Sequence, residues 1–162
     1  MSEVNTKSIS NLQTLDILCF DENEFDQFSC VVREEKNPAI VKLKAKNWGA
    51  VRKWTPEFFK KQYGKTNIFA SLNLPENKIP YYSTEKKHRT KISLEAFIDD
   101  YFDKKSCYID QSDISQFEGL QSDYSYKECL PSDARFTSLW IGNNTRSGLH
   151  YDNMDNMFVQ IY

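Results

Sequence analysis

The chain has 162 residues, with 40% hydrophobic and 14% aromatic side chains, enough apolar material for a packed core and too much for global disorder. Its formal net charge of −2 shows no basic excess of the kind that marks a nucleic-acid-binding surface. No run approaches the roughly 20 apolar residues of a membrane span, and the polar start MSEVNTKSIS lacks the apolar stretch of a secretory signal. These features point to a cytoplasmic protein, or a nuclear one in a eukaryote. The four cysteines (Cys19, Cys30, Cys107, Cys129) form no CxxC pair, so zinc and dithiol chemistry find no support. The lysine groups Lys42/Lys44/Lys46 and Lys86/Lys87/Arg89 read as solvated faces.

In chain order, residues 1–35 read as a partly loose N-terminal extension, with a short helix or turn around residues 22–28. Pro38 is followed by Ile40, Val41 and Leu43, a strand entering the core. Thr55 is placed to cap a helix with Pro56 at its first position, Glu57 in its first turn and Gly64 at its end. Phe58, Phe59 and Tyr63 give that helix an apolar side. Residues 66–70 then predict a strand, and residues 72–90, with two prolines and several lysines, a surface loop or hairpin. Ser93 caps a second helix, where Leu94, Phe97, Ile98, Tyr101 and Phe102 fall on one face. Residues 107–110 predict a short strand and residues 113–120 a helical turn. RFTSLWIG, GLHYD and NMFVQIY are three strand-like runs that close the chain. The fold class is therefore α+β, with helices first and an antiparallel sheet developing towards the end.

The chemistry concentrates at His150-Tyr151-Asp152. In an extended strand, residues i and i+2 project from the same face, so the imidazole and the carboxylate would converge on one cation. Such a pair supplies two of the three donors of a 2-His-1-carboxylate iron site, which leaves metal positions open for co-substrate and dioxygen. On those residues alone, a histidine and an acid at a hairpin surface is the competing reading. Trp48, Trp54 and Trp140 read as packing residues, and nothing around His88 in KKHRT suggests a ligand.

The run WIGNNTRSGLHYDNMDNMFVQIY resembles the core of JmjC-type, cupin-like iron(II)/2-oxoglutarate dioxygenases. The matching features are Trp140-Ile141-Gly142, Ser147-Gly148, His150 and Asp152, Asn156, and Gln160-Ile161. Upstream, PAIVKLKAKNWGAVRKWTPEFFKKQYGKTNIF and SLEAFIDDYFDKKSCYIDQ resemble that family's preceding segments in the same order, so the resemblance spans residues 38–162. It implies a cupin-like domain over residues 36–162 holding the first part of a double-stranded β-helix (jelly roll), preceded by N-terminal helices.

The resemblance also implies roles. His150 and Asp152 would ligate Fe(II). Ser147 would donate to the far carboxylate of the co-substrate 2-oxoglutarate, with Thr145 the weaker candidate. Tyr108 would reach the same carboxylate, and Asn156 would lie near the co-substrate. For Tyr108 a core tyrosine is the alternative, and for Asn156 a turn residue. The family also has a second histidine ligand and a Lys or Arg for the distal carboxylate, both further downstream than Tyr162. The chain therefore reads as the N-terminal part of such a domain, inactive by itself. The activity implied is hydroxylation of a protein or peptide side chain, without nucleic acid or membrane, and a homodimer is left open. The alternatives are a non-catalytic cupin-like binding module, a short product that needs a partner to finish the barrel, or another cupin chemistry such as sugar isomerisation.

Overall fold

A computed structural model describes residues 16–35, 37–42, 44–75, 85–126, 136–143, 145 and 152–161. The chain divides into two units, Met1–Lys44 and Ala45–Tyr162.

In the first unit, strand β1 (Leu18–Phe20) pairs in parallel with β2 (Ala39–Val41). Between them lie a 3-10 turn (Glu22–Glu24), helix α1 (Phe25–Cys30) and a π-helical turn (Val31–Glu35). The turn starts where the Asp21 backbone N–H donates to the Glu24 carboxylate at 2.9 Å, satisfying a donor at the helix start. Phe28 packs on Phe20 and Phe25 at ring-centroid distances of 6.2 and 5.5 Å, and the Lys44 ammonium sits 4.3 Å from the Phe25 ring. The helix around residues 22–28 and the strand at Ile40–Val41 are thus as expected, whereas β1 was not foreseen.

The second unit begins with α2 (Gly49–Lys53) and α3 (Pro56–Tyr63). The Thr55 hydroxyl accepts from the Phe58 N–H at 3.2 Å, the cap that the Thr-Pro pair predicts. Next come β3 (Asn67–Ser71), a single helical turn α4 (Glu85–His88) and β4 (Arg89–Ser93). Helix α5 (Leu94–Phe97) is capped by the Ser93 hydroxyl, which accepts from Ala96 N–H at 3.2 Å, and widens into a π-helical turn (Ile98–Phe102). Strand β5 (Cys107–Asp113) leads through 3-10 turns at Ile114–Gln116 and Leu120–Asp123 towards β6 (Ser138–Asn143). Gly119, at φ +92°, makes the left-handed step between those turns, which favours a residue without Cβ.

The strands form one sheet in the order β4-β3-β5-β6, antiparallel throughout. Strand β5 carries a bulge: Ile109 pairs with Ile141 but Ser112 with Leu139, so β5 holds one residue more than β6 across that interval. Gln111 within it has φ +45°. Ile68, Ala70, Cys107, Ile109 and Leu139 point to one side, where Phe59, Leu94, Phe97, Phe102, Ile114, Phe117 and Leu120 complete the core. Asp123, only 5% exposed, accepts from Trp54 Nε1–H at 3.0 Å and pairs with the Lys53 ammonium, tying the end of α2 to the turn that follows Gly119. A buried carboxylate is tolerable only with such partners.

Two expectations need correction. Residues 72–90 are expected to form a surface loop or hairpin; the strand β4 (Arg89–Ser93) pairs antiparallel with β3, which fits the hairpin, but it runs past residue 90, and its solvent-facing Arg89 and Lys91 hide it from a search for apolar alternation. NMFVQIY was expected as a strand, and its described part, residues 156–161, has no regular structure. Among the described residues no strand pairs with it, and an extended segment without a ladder partner is not a sheet strand.

Candidate metal and co-substrate site

The four-stranded sheet brings together one row of residues directly opposite each other. Arg89 on β4 faces Ser71 on β3, Ser71 faces Tyr108 on β5, and Tyr108 faces Gly142 on β6. Paired residues project to the same side of a sheet. Because Ile68 and Ala70 of β3 and Cys107 and Ile109 of β5 fill the core, this row lies on the opposite, open face. Phe69 and Trp140 share it, 53% and 49% exposed.

Tyr108, half-buried, stacks nearly parallel on Trp140, with centroids 6.2 Å apart and an interplanar angle of 11°. It is not a core tyrosine. Trp140 likewise departs from the packing role expected of it, because residue parity on β6 sends Leu139 and Ile141 inward and Trp140 outward. Gly142 permits the close β5–β6 approach beside Tyr108: a Cβ there would stand 2.6 Å from the Tyr108 Cβ. The neighbouring Cys107 thiol, on the buried side, has its pKa pushed up from 9.0 to about 11 by burial first and by the Asp103 charge second.

Past β6 the chain carries the proposed ligands. His150 and Ser147 lie outside the described residues. Asp152 and Asn156 are both exposed, and the Asn156 side-chain amide donates to the Asp152 carboxylate. Asp152 and the described residues that follow it are not in a strand: 152–161 show only a bend at Asn153 and Met154. The expected strand therefore does not extend to this acid, and its orientation is braced by Asn156 instead. Thr145 is exposed.

The donor types fit iron(II), since imidazole nitrogen and carboxylate oxygen are its facial-triad ligands. An exposed carboxylate steadied by a side-chain amide is a serviceable half of such a pair. The other histidine of the 162 residues, His88, is half-buried with Nδ1 3.0 Å from the Leu72 carbonyl oxygen, a structural contact across the β3–β4 hairpin. Among the described residues there is no cluster of three His, Cys, Asp or Glu side chains suited to a metal.

Ser71 and Arg89 were not singled out from the sequence. Alternation along residues 67–71 was the available signal for Ser71, and Arg89 was absorbed into the solvated basic group. Among the described residues no helix is long and apolar enough to cross a membrane. A family model described as a cupin-like domain matches residues 24–162. No curated protein shows a significant match to the chain.

Proposed function

Because the chain belongs to the cupin-like domain family, we propose that it is an Fe(II)/2-oxoglutarate-dependent oxygenase of JmjC type that hydroxylates a side chain of a protein or peptide. The observation that carries this is the order of parts within the matched region. The Trp140-Ile141-Gly142 strand lies beside the strand of Tyr108, and the His150-x-Asp152 pair and Asn156 follow it directly. The amide-to-carboxylate bond between Asn156 and Asp152 supports the pairing of those two positions in one site.

In this reading the four-stranded sheet is one wall of a double-stranded β-helix, and its open face looks into the barrel. His150 and Asp152 hold the metal. Asn156 fixes the carboxylate so that one oxygen is presented to the cation. The Tyr108 phenol and the Ser147 hydroxyl donate to the far carboxylate of the co-substrate, with Thr145 the lesser candidate. Trp140, stacked on Tyr108, restricts the phenol and shields it from water. When bound, iron with 2-oxoglutarate and dioxygen supplies the oxidant that converts a substrate C–H to C–OH, with succinate and carbon dioxide as co-products.

The test is succinate release from the product of the full reading frame, supplied with Fe(II), 2-oxoglutarate and candidate peptides. Release that disappears in His150→Ala and in Asp152→Ala is expected. Turnover surviving either change would end the reading.

The exposed Phe69 and Trp140 on one face of the sheet favour a second reading, a cupin-like module that binds its partner without redox chemistry. Anaerobic Fe(II) titration separates the two. Stoichiometric, tight binding lost in Asp152→Ala supports the oxygenase, and weak binding indifferent to that change supports the module.

A further inference from the structure

The open face of the sheet contains one polar atom that its surroundings do not explain. Ser71 is 0% exposed, and its hydroxyl is buried without a hydrogen-bond partner. Buried hydroxyls nearly always have a partner, and leaving one unpaired costs stability. This hydroxyl sits at the middle of the row described above, between the guanidinium-bearing Arg89 and the phenol-bearing Tyr108, at the registers Ser71–Arg89 and Ser71–Tyr108. The row ends at Gly142, which adds no side chain beside the phenol.

We propose that Arg89, Ser71 and Tyr108 form a carboxylate-binding row across β4, β3 and β5, in which Ser71 supplies the central hydrogen bond. The proposal deepens the oxygenase reading and shares Tyr108 with it, but it assigns Ser71 and Arg89 as determinants of which acid is bound. The chemistry suits an anion: a guanidinium and two hydroxyls are donors in line, and charge-assisted hydrogen bonds to a carboxylate are the strong kind. Arg89 lies 5.5 Å over the Phe69 ring, which keeps the cation on this face. Since Ser71 is closed to solvent, a carboxylate reaches its hydroxyl only by displacing a neighbour. Two ligands share this chemistry: a small dicarboxylate, or an acidic side chain of a peptide.

The experiment is calorimetric titration of the iron-free protein with succinate and, separately, with an end-blocked peptide whose only carboxylate is one glutamate. Wild type should bind at least one probe. Ser71→Ala and Arg89→Gln should each weaken that binding about tenfold, the loss expected for a hydrogen bond to a charged group. Without ligand, Ser71→Ala should melt no lower than wild type, because an unpaired buried hydroxyl has been removed. Binding of succinate alone identifies a small dicarboxylate, and binding of the peptide alone an acidic substrate side chain; either supports the row. No binding of either probe by wild type, an affinity indifferent to either substitution, or a lower melting temperature for unliganded Ser71→Ala would overturn it. Failure of Fe(II) binding with intact carboxylate binding sinks the oxygenase reading and spares the row. Turnover with carboxylate binding indifferent to Ser71 and Arg89 sinks the row alone.

Discussion

The two faces of the four-stranded sheet are made by the same strands, residue by residue in alternation, yet they are built to different ends. One face carries Ile68, Ala70, Cys107, Ile109 and Leu139 into a core closed by Phe97, Phe117, Leu94 and Leu120. The other presents Arg89, Ser71, Tyr108 and Gly142 in a row, flanked by exposed Phe69 and Trp140. Burial of apolar area stabilises the first face, whereas the second holds polar donors, a stacked aromatic pair and an unpaired hydroxyl, which stabilise little. Stability and chemistry are thus separated by strand parity, and substitutions on the two sides should have separable effects.

The largest effect expected is on the core side. Phe97 is fully buried, and Phe97→Ala should cost about 3–5 kcal/mol of unfolding free energy in urea titrations. A cost below that of any open-face substitution would dissolve the contrast. Gly142→Ala tests the open side where space is tightest. The added methyl meets the Tyr108 Cβ at 2.6 Å and the Cys107 carbonyl oxygen at 3.0 Å, so about 1–3 kcal/mol should be lost together with binding of any ligand that uses Tyr108. Trp140→Ala should cost only about 0.5–1.5 kcal/mol, the worth of its aromatic pair, while impairing ligand binding out of proportion.

The smallest effect at neutral pH belongs to Cys107, whose thiol is held neutral by burial. Its folded pKa of about 11 lies above the ordinary 9.0, so its contribution is complete below pH 9 and is lost as pH rises towards 11, when the unfolded chain ionises first. Equilibrium unfolding across that window should show the decline, and Cys107→Ala should flatten it. In the native protein alkylation should label exposed Cys19 and Cys30 and spare Cys107.

Much of this was legible where the signal is local. The Thr55-Pro56 cap, the Ser93 cap and the apolar spacing from Leu94 to Phe102 are decided within one or two helical turns, and the helices appear where those residues put them. The bounds of strand β4 were not legible, because Arg89–Ser93 become a strand only through pairing with Asn67–Ser71. Residues 156–161 failed in the opposite direction: their apolar composition suits a strand, and composition alone does not provide a ladder. The candidate site divides in the same way. Tyr108, Asp152 and Asn156 were identified from the order of motifs. Ser71 and Arg89 acquire meaning only from cross-strand register, which no single segment contains.

The bulge in β5 has a consequence for how this domain can vary. The extra residue reverses the parity of the strand: Tyr108 lies on the face away from the core, whereas Ser112, also an even position, is buried opposite Leu139, and Asp113 stays exposed opposite Ser138. Taking that one residue out would only make the ladder regular, with Ser112 still opposite Leu139. An insertion or deletion elsewhere in the strand would instead turn every residue beyond it to the wrong side, so the bulge is the one point at which the length of β5 can change without exchanging its two faces.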